Sequence, residues 1–374
     1  MREVMKPESW PWSTFPTCLA RWSRAPQVVV AARWNRAPLV LFAILSLTIA
    51  AAAAEPSSNE AWLISTRRAP TGSRADTTAA PIDYRRLQTD RRWTPATAEE
   101  FFAGDDPSVP TTVFIHGSLV EPCDAIQEGW SVYNDLLCRA AGRPFRLVIW
   151  SWPSQRILRN LRDDVQLKAC YSDTQAYYLA CWLDRAARDA PVNLVGFSFG
   201  ARVATGALHL AAGGEVAGRR LGADRAERLK PIRAVLVAAA LDAGWLLPGH
   251  RNGLALSQVD SMLVTVNPLD PVLRRYPLMY RRGGPEALGY VGPLCAGQLG
   301  DEREKIETLN ASCSVGRAHA WARYSASPSL RNAIARYAFF AEPPSTASAA
   351  QDAVAQDATV QDATVQDAAG PSLP

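Results

Sequence analysis

Histidine and lysine are scarce in this sequence, with four residues of each among 374. No two cysteines have the C-x-x-C spacing and no two histidines have the H-x-x-x-H spacing, at which zinc ligands often recur. We therefore expect neither a metal ion nor another cofactor. The scarcity also leaves few candidates for a general base, namely His116, His209, His250 and His319.

The sequence lacks a large excess of either charge outside its first residues. The net charge is +4 at pH 7, and residues 1–36 alone contain enough arginine and lysine over glutamate to account for it. The rest of the chain is therefore close to neutral. A nucleic-acid groove or a polybasic membrane patch needs clustered basic residues, so we expect no nucleic-acid partner.

An uncharged stretch, residues 37–54, follows this basic segment and ends in a run of alanines. A basic flank, an apolar stretch and small residues at its end are typical of an export signal. The stretch also has the minimum length of a membrane-spanning helix, so it could remain as a membrane tether. Its alanine-rich second half favours cleavage near Ala54. Either alternative places residues 55 onward outside the cytoplasm, in the periplasm or the medium.

Six of the seven cysteines follow the export signal. An even number in an exported chain predicts disulfides, although the sequence does not determine their pairing. Cys170 and Cys181 are predicted to share one helix about 16 Å apart, which is too far for a bridge between them. Each should find a partner elsewhere or stay a buried thiol. Cys295 with Cys313 is the pairing to test first.

The remaining chain divides into a compact domain, residues 55–342, and a tail, residues 343–374. Segments 55–60 and 67–82 are predicted to be linkers around one strand, 61–65. The tail repeats Gln-Asp-Ala-Val or Gln-Asp-Ala-Thr with a period of five residues and contains no aromatic residue. Such a repeat has too little apolar surface to fold, so we predict a disordered tail.

Within the domain, strand-like and helix-like segments alternate. This pattern predicts an α/β fold with a mostly parallel open sheet and helices on both faces. A long helix is expected over 161–188, and a closing helix begins after Ser327 as N-cap. Open α/β sheets place their sites at the carboxyl ends of the strands. The strands are predicted at 112–115, 145–150, 192–195, 234–237, 262–266 and 305–309.

The pentapeptide from Gly196 to Gly200 can expose a serine hydroxyl. It follows an apolar strand and precedes a helix with small residues, which is the context of a nucleophile turn. The two glycines are predicted where a Cβ would collide with neighbouring backbone. Ser198, at the apex, is the predicted nucleophile in a strained conformation.

A serine nucleophile needs a base and an orienting carboxylate, which follow it along the chain in this architecture. His319 is the predicted base, because it lies between the last strand and the closing helix. Asp270 and Asp242 compete for the acid, since each directly follows a strand. We favour Asp270, because the later strand carries the acid more often.

Acyl transfer also needs two N–H donors for the developing oxyanion. The backbone N–H of Phe199 is one candidate, and that of Ser118 is the other, because His116-Gly117-Ser118 follows an earlier strand. His116 is then structural. Trp152 and Trp245 also follow strand ends, where they could line an apolar pocket. For any single residue, however, packing beneath the loops is the favoured interpretation.

These motifs together resemble the serine α/β-hydrolase superfamily, and more narrowly the uncharacterised exported bacterial α/β hydrolases, over residues 60–340. The resemblance implies an α/β-hydrolase fold and an exported serine hydrolase that cleaves small-molecule carboxylic esters through an acyl-enzyme. A thioesterase or peptidase would use the same residues. A non-catalytic envelope scaffold on the same fold is the other alternative, and the oligomeric state is open. The resemblance is carried by Trp62–Arg67, Phe114–Gly117, Gly196–Gly200, Asn267–Leu273 and Ala318-His319.

Overall fold

A computed structural model describes residues 59–341, except for 73–76, 78–79, 105, 107, 223–230 and 281–282. These residues all belong to the second of two compact units, Ser57–Pro374. The predicted leader, residues 1–54, and the repeat tail, residues 343–374, lie outside the described residues. No helix in the described part of the chain is long and apolar enough to cross a membrane.

One open sheet forms the centre of the domain. It is parallel throughout, except that β2 runs antiparallel to its two neighbours, β1 and β3. The strands within the described residues are β1 Glu60–Ser65, β2 Asp83–Leu87, β3 Trp93–Ala96, β4 Thr111–Ile115, β5 Arg146–Ser151, β6 Val192–Phe197, β7 Ile232–Val237, β8 Ser261–Val266 and β9 Ile306–Asn310. Their order across the sheet is β3-β2-β1-β5-β4-β6-β7-β8-β9.

Helices connect these strands. They are α1 Ala98–Ala103, α2 Pro122–Arg139, α3 Leu161–Asp189, α4 Phe199–Ala211, α5 Leu288–Val291, α6 Ser312–Val315, α7 Trp321–Ser325 and α8 Pro328–Ala338. Shorter 3₁₀ segments cover Ala255–Gln258, Leu273–Met279 and Ala296–Lys305.

Helices cover both faces of the sheet. In β5, Ile149 lies against α2 so closely that a Cβ on Gly129 would collide with it. The next residue, Trp150, packs edge-on against Trp182 of α3, with 6.1 Å between ring centroids. Successive strand residues point to opposite faces, so α2 and α3 lie on opposite sides. The predicted α/β fold with a mostly parallel sheet is therefore confirmed.

The predicted long helix and the predicted closing helix are also confirmed. The long helix spans Leu161–Asp189 and begins after Asn160, whose side-chain oxygen accepts hydrogen bonds from the N–H groups of Arg162 and Asp163. The closing helix begins after Ser327, whose hydroxyl accepts a bond from the N–H of Leu330 at 3.4 Å. Both caps satisfy N–H groups that have no partner within the helix.

The β2–β3 hairpin was not predicted from the sequence. Neither strand is fully buried, two arginines are adjacent in β2, and Pro95 interrupts β3. An edge hairpin tolerates proline and charge because one side lacks a strand partner. The hairpin has no apolar stretch, so its sequence does not resemble that of a strand. The two strands form because β2 pairs with β1 and β3 pairs with β2.

The cysteine prediction is not met. No disulfide joins the six cysteines of the described residues, so the expected Cys295–Cys313 bridge is absent. Both of these side chains are exposed, one before a 3₁₀ segment and the other in α6. Cys170 and Cys181 are exposed on α3 rather than bridged or buried. The large apolar core of the sheet makes covalent bracing unnecessary at this domain size.

The parallel strands bring three segments to one edge of the sheet. β4, β6 and β8 all end there, and β4 lies directly beside β6 with Ile115 opposite Gly196. The residues that follow these strands, at 116–120, 198–200 and 267–273, include most of the predicted site.

Candidate active site

Ser198 occupies the turn between β6 and α4 in a rare backbone conformation. Its φ is 53° and its ψ is −115°, a region that side chains with a Cβ seldom adopt. Its N–H donates to the carbonyl of Val237 at 2.9 Å, and its own carbonyl accepts from the N–H of Ala201 at 3.1 Å. Strand β7 and helix α4 therefore hold the strained serine from both sides.

Two glycines make this turn possible. A Cβ on Gly196 would lie 2.7 Å from the backbone of Ala201, and a Cβ on Gly200 would overlap the carbonyl oxygen of Ile115. Contacts that close with backbone cannot relax by a side-chain rotation. The structure therefore confirms the prediction that a Cβ at either position would collide with neighbouring backbone.

Ser198, His319 and Asp270 form a continuous hydrogen-bonded chain. The Oγ of Ser198 lies 3.0 Å from Nε2 of His319. The other ring nitrogen, Nδ1, lies 2.7 Å from Oδ2 of Asp270. The His319 side chain is 11% exposed and that of Asp270 is 0% exposed. The structure thus brings together three residues that lie far apart in the sequence, since Ser198 and His319 are 121 positions apart.

Asp270 is held by donors on every side. Its Oδ1 accepts from the N–H groups of Val272 and Leu273, at 2.9 and 3.1 Å. Its Oδ2 accepts from the Tyr324 hydroxyl at 3.1 Å besides His319. Burial raises the pKa of Tyr324 well above its ordinary value, so the phenol remains a donor. These bonds direct one carboxylate oxygen at the imidazole.

Asp242, the competing acid, has other partners. Its Oδ1 accepts from the hydroxyls of Tyr276 and Tyr280, each at 2.6 Å. Its Oδ2 accepts from Nε1 of Trp245 at 2.6 Å. Both ring nitrogens of His319 are already engaged elsewhere. The Asp242 carboxylate therefore anchors aromatic side chains, two of which line the cavity described below.

His116 lies beneath the loop that follows β4. Its Nδ1 lies 2.9 Å from the Gly117 carbonyl, and its Nε2 accepts from the backbone N–H of Trp152 at 3.1 Å. The ring stacks on Trp152 at an interplanar angle of 8°. Burial, together with the nearby Arg67, lowers the pKa of His116 well below its ordinary value, so the ring is neutral. These contacts fit the predicted structural role.

Arg67, which the sequence analysis quoted only as part of a motif, supports the same loop. Its guanidinium donates to the Val120 carbonyl at 3.1 Å, to Ser151 Oγ at 2.7 Å and to Gln155 Oε1 at 2.7 Å. Burial lowers its pKa to about 10, so it stays charged at neutral pH. No sequence signal distinguished it from the exposed Arg68 beside it.

The two predicted oxyanion residues lie next to the serine. Ser118 and Phe199 line the same cavity as Ser198 and His319. A Cβ on Gly117 would come within 3.2 Å of the Cβ of Ser198, so the loop after β4 approaches the serine turn closely.

The remaining histidines, His209 and His250, have other surroundings: His209 contacts the backbone of residues 215 and 254, and His250 is exposed.

A cavity of about 1130 Å³ opens at Ser198. Apolar side chains form most of its wall, and among them are residues of α3, α7 and the segment Leu273–Met279. Trp152 and Trp245 are not among its lining residues, so the pocket-lining alternative is wrong for both and the favoured interpretation, packing beneath the loops, is confirmed. Trp152 stacks on His116 and Trp245 binds Asp242. The position of the 3₁₀ segment Leu273–Met279 in the cavity wall was not predicted from the sequence.

Comparison with known proteins gives distant structural similarities. No family model matches this chain and no curated protein matches it. An acetyl xylan esterase is 14% identical with a TM-score of 0.33, and covers 62% of this chain and 97% of its own. A cutinase-like protein from Cryptococcus sp. is 12% identical with a TM-score of 0.31, covering 63% and 95%.

A poly(3-hydroxybutyrate) depolymerase from Bordetella parapertussis is 13% identical with a TM-score of 0.34, and covers 72% of this chain and 93% of its own. These identities and TM-scores are too low to assign a fold. Two features of this chain identify it instead, namely the mostly parallel sheet covered by helices on both faces and the serine turn between β6 and α4. The chain has the α/β-hydrolase fold, as its resemblance to the serine α/β hydrolases predicted.

Proposed function

We propose that this chain is a serine hydrolase of carboxylic esters. The observation that carries the proposal is the chain of hydrogen bonds from Ser198 Oγ through His319 to Asp270, with lengths of 3.0 and 2.7 Å, at the wall of a large cavity. A base within hydrogen-bond reach of the nucleophile, itself oriented by a carboxylate, is the arrangement that activates a serine.

In the proposed first half-reaction, Ser198 Oγ attacks the ester carbonyl carbon while Nε2 of His319 takes the hydroxyl proton. The carbonyl π electrons move to oxygen, and the N–H groups of Ser118 and Phe199 stabilise the resulting oxyanion. Asp270 stabilises the imidazolium through Nδ1. Collapse of the intermediate breaks the bond to the alcohol oxygen, which leaves with the proton from Nε2.

In the second half-reaction, water replaces the alcohol. His319 takes a proton from the water as its oxygen attacks the acyl carbon, and the same N–H groups hold the oxyanion. The bond between the acyl carbon and Ser198 Oγ then breaks, and His319 returns the proton to Oγ. The products are one carboxylic acid and one alcohol, and the enzyme is regenerated.

Covalent labelling of the full chain tests the proposal. We expect a fluorophosphonate probe to label the purified protein and short-chain p-nitrophenyl esters to be hydrolysed. Ser198→Ala should abolish both, because no other residue is proposed to supply the nucleophile. Ser257→Ala is the matched control, since this exposed serine bonds only to the nearby Leu254 carbonyl, and it should be labelled like the parent.

Folded protein that is neither labelled nor active would refute the proposal and favour the non-catalytic scaffold. Faster turnover of thioesters or peptides than of esters in the same assay would reassign the substrate class to the thioesterase or peptidase alternative. Ser198→Ala should be inactive in both catalytic cases, because a thioesterase or peptidase would use the same serine. The comparison of substrates alone therefore separates an esterase from these alternatives.

We also propose that the hydrolase acts outside the cytoplasm, on the basis of residues 37–54. Cell fractionation of the full chain should recover the activity in the periplasm or medium, or in the membrane fraction if the stretch is retained as a tether. Deletion of 37–54 should keep the protein in the cytoplasm, and unchanged export would contradict this part of the proposal.

A further inference from the structure

The cavity wall contains one carboxyl group that the proposed mechanism does not use. Glu128, on α2, lines the cavity together with Ser198 and His319. Its Oε2 is buried and has no hydrogen-bond partner. Among the described residues that line the cavity, Glu128 is the only one with a buried side-chain polar atom of this kind. Buried acceptors without a partner are rare and call for a physical explanation.

Neighbouring polar groups do not satisfy this oxygen. Ser131, one turn later on α2, donates its hydroxyl to the main-chain carbonyl of Glu128 at 2.6 Å. The same hydroxyl accepts from Nε1 of Trp321 at 2.7 Å. Arg162, at the cavity mouth, donates to the Tyr280 carbonyl. Ser131 and Arg162 thus both have hydrogen-bond partners other than the Glu128 carboxyl.

The surroundings of Glu128 favour its neutral form. Burial raises the pKa of Glu128 to about 8, and the negative charge of Asp124 one turn earlier adds to the rise. At neutral pH the group is therefore a carboxylic acid that can both donate and accept. The complementary ligand is a neutral group that also does both, and an alcohol hydroxyl is the simplest.

We infer that Glu128 is a specificity-determining residue whose carboxyl group binds a hydroxyl on an otherwise apolar ester held in the cavity. The inference rests on the proposed function. The apolar walls bind the hydrocarbon part of such a substrate, and the Glu128 carboxyl recognises the position of its hydroxyl. A site that hydrogen-bonds a substrate hydroxyl discriminates strongly against the analogue without one, because its own polar group is then left unpaired.

Paired substrates test the inference. One pair is a p-nitrophenyl hydroxyalkanoate and the alkanoate of equal chain length, and the other pair carries the hydroxyl on the alcohol part instead. We expect the parent enzyme to prefer the hydroxylated member of at least one pair by 10-fold or more in kcat/KM. Glu128→Met, of similar length without the carboxyl, should reduce the preference to near unity, whereas Glu128→Gln should keep most of it.

Three outcomes would overturn the inference. The first is a parent enzyme with no hydroxyl preference in either pair, which decides the matter even if Glu128→Met fails to fold. The second is an unchanged preference in folded Glu128→Met. The third is a stronger preference for an ammonium-bearing ester than for the hydroxylated one, which would make Glu128 a cation site.

Failure of the proposed function can be told apart from failure of this inference. Fluorophosphonate labelling of Ser198 is measured for every variant, and only its absence speaks against the hydrolase. Calorimetric binding of the hydroxylated and unsubstituted acids and alcohols to the parent, Glu128→Gln and Glu128→Met proteins needs no turnover. A hydroxyl preference lost only in Glu128→Met supports the inference even in an inactive protein, and equal binding of each pair refutes it.

Discussion

At the scale of single residues, the two candidate acids differ in what they contact. Asp270 bonds to His319, to the Tyr324 hydroxyl and to two backbone N–H groups. Asp242 bonds to two tyrosine hydroxyls and a tryptophan N–H. The sequence places both after strands, so only these contacts separate an orienting carboxylate from an anchor for aromatic side chains.

Substitution of the two acids should therefore have unequal effects on turnover. We expect Asp270→Asn to lower kcat by about 10⁴-fold, as loss of the carboxylate does in serine triads. The matched change Asp242→Asn should lower it by less than about 10-fold, through loosened Tyr276 and Tyr280 in the cavity wall. Steady-state kinetics on one ester measure both. A larger loss in Asp242→Asn would reverse the assignment.

At the scale of elements, the end of β1 supports the loop that follows β4. Arg67 reaches from this strand end to the Val120 carbonyl and to Ser151 and Gln155. The loop it supports carries Ser118, one of the two proposed oxyanion donors. We therefore expect Arg67 to act as a positioning residue, which affects the proposed chemistry only through this loop.

Arg67→Ala should lower kcat more than it raises KM, because a misplaced donor weakens the transition state and not the bound ester. We expect a loss of kcat of about 10- to 100-fold, below the loss on deleting an oxyanion donor outright. Fluorophosphonate labelling of Ser198 should slow in parallel. Arg67→Lys, which restores one donor, should recover part of the rate.

The control for this variant is Arg68→Ala. Arg68 is exposed and pairs with Asp83 on the neighbouring strand, so its loss should change neither kcat nor the labelling rate. An Arg67→Ala enzyme whose KM rises while kcat and labelling stay at parent levels would show that the loop does not depend on this residue.

At the scale of the whole molecule, the partly buried Glu128 links stability to pH. The folded protein holds the Glu128 proton up to about pH 8, whereas an exposed glutamate loses it near 4.5. The folded state therefore binds the proton more tightly than the unfolded state. Its stabilising contribution is complete below pH 4.5 and declines as the pH rises toward 8.

Glu128→Gln removes this dependence because an amide does not titrate. We expect the variant to have a Tm a few degrees above that of the parent at pH 8. The difference should shrink toward pH 4, where both side chains are neutral. Thermal unfolding between pH 4 and 9 measures it. A Tm difference that is constant across this range would mean that Glu128 titrates normally in the folded protein.

The sequence predicted correctly those features that depend on residues close together along the chain. The strained turn at Ser198 needs glycines at fixed offsets, so its sequence is diagnostic. The parallel strands are continuous apolar segments that helices must cover, so they are visible too. The β2–β3 hairpin was missed because pairing with β1, not its own pattern, makes it a strand.

Glu128 and Arg67 were missed for a similar reason. A single glutamate on an amphipathic helix and an arginine beside another arginine look like surface residues in a sequence. Their burial follows from what packs over them: the cavity wall around α2 in one case and the loops after β4 and β5 in the other. For Trp152 and Trp245, the strand-end positions allowed a pocket-lining role, but packing beneath the loops was the favoured interpretation and the structure confirms it.

The sequence by itself determined the α/β fold, the strained turn at Ser198 and the candidates for base and acid. Each of these follows from short-range patterns, in which apolar periodicity or backbone sterics act over a few residues. Only the tertiary structure decided which aspartate meets His319, that no described cysteine is bridged, and that a carboxyl oxygen of Glu128 lies unpaired in the wall of the cavity at Ser198. Those features depend on side chains from distant segments meeting at one edge of the sheet, and no local pattern encodes such a meeting.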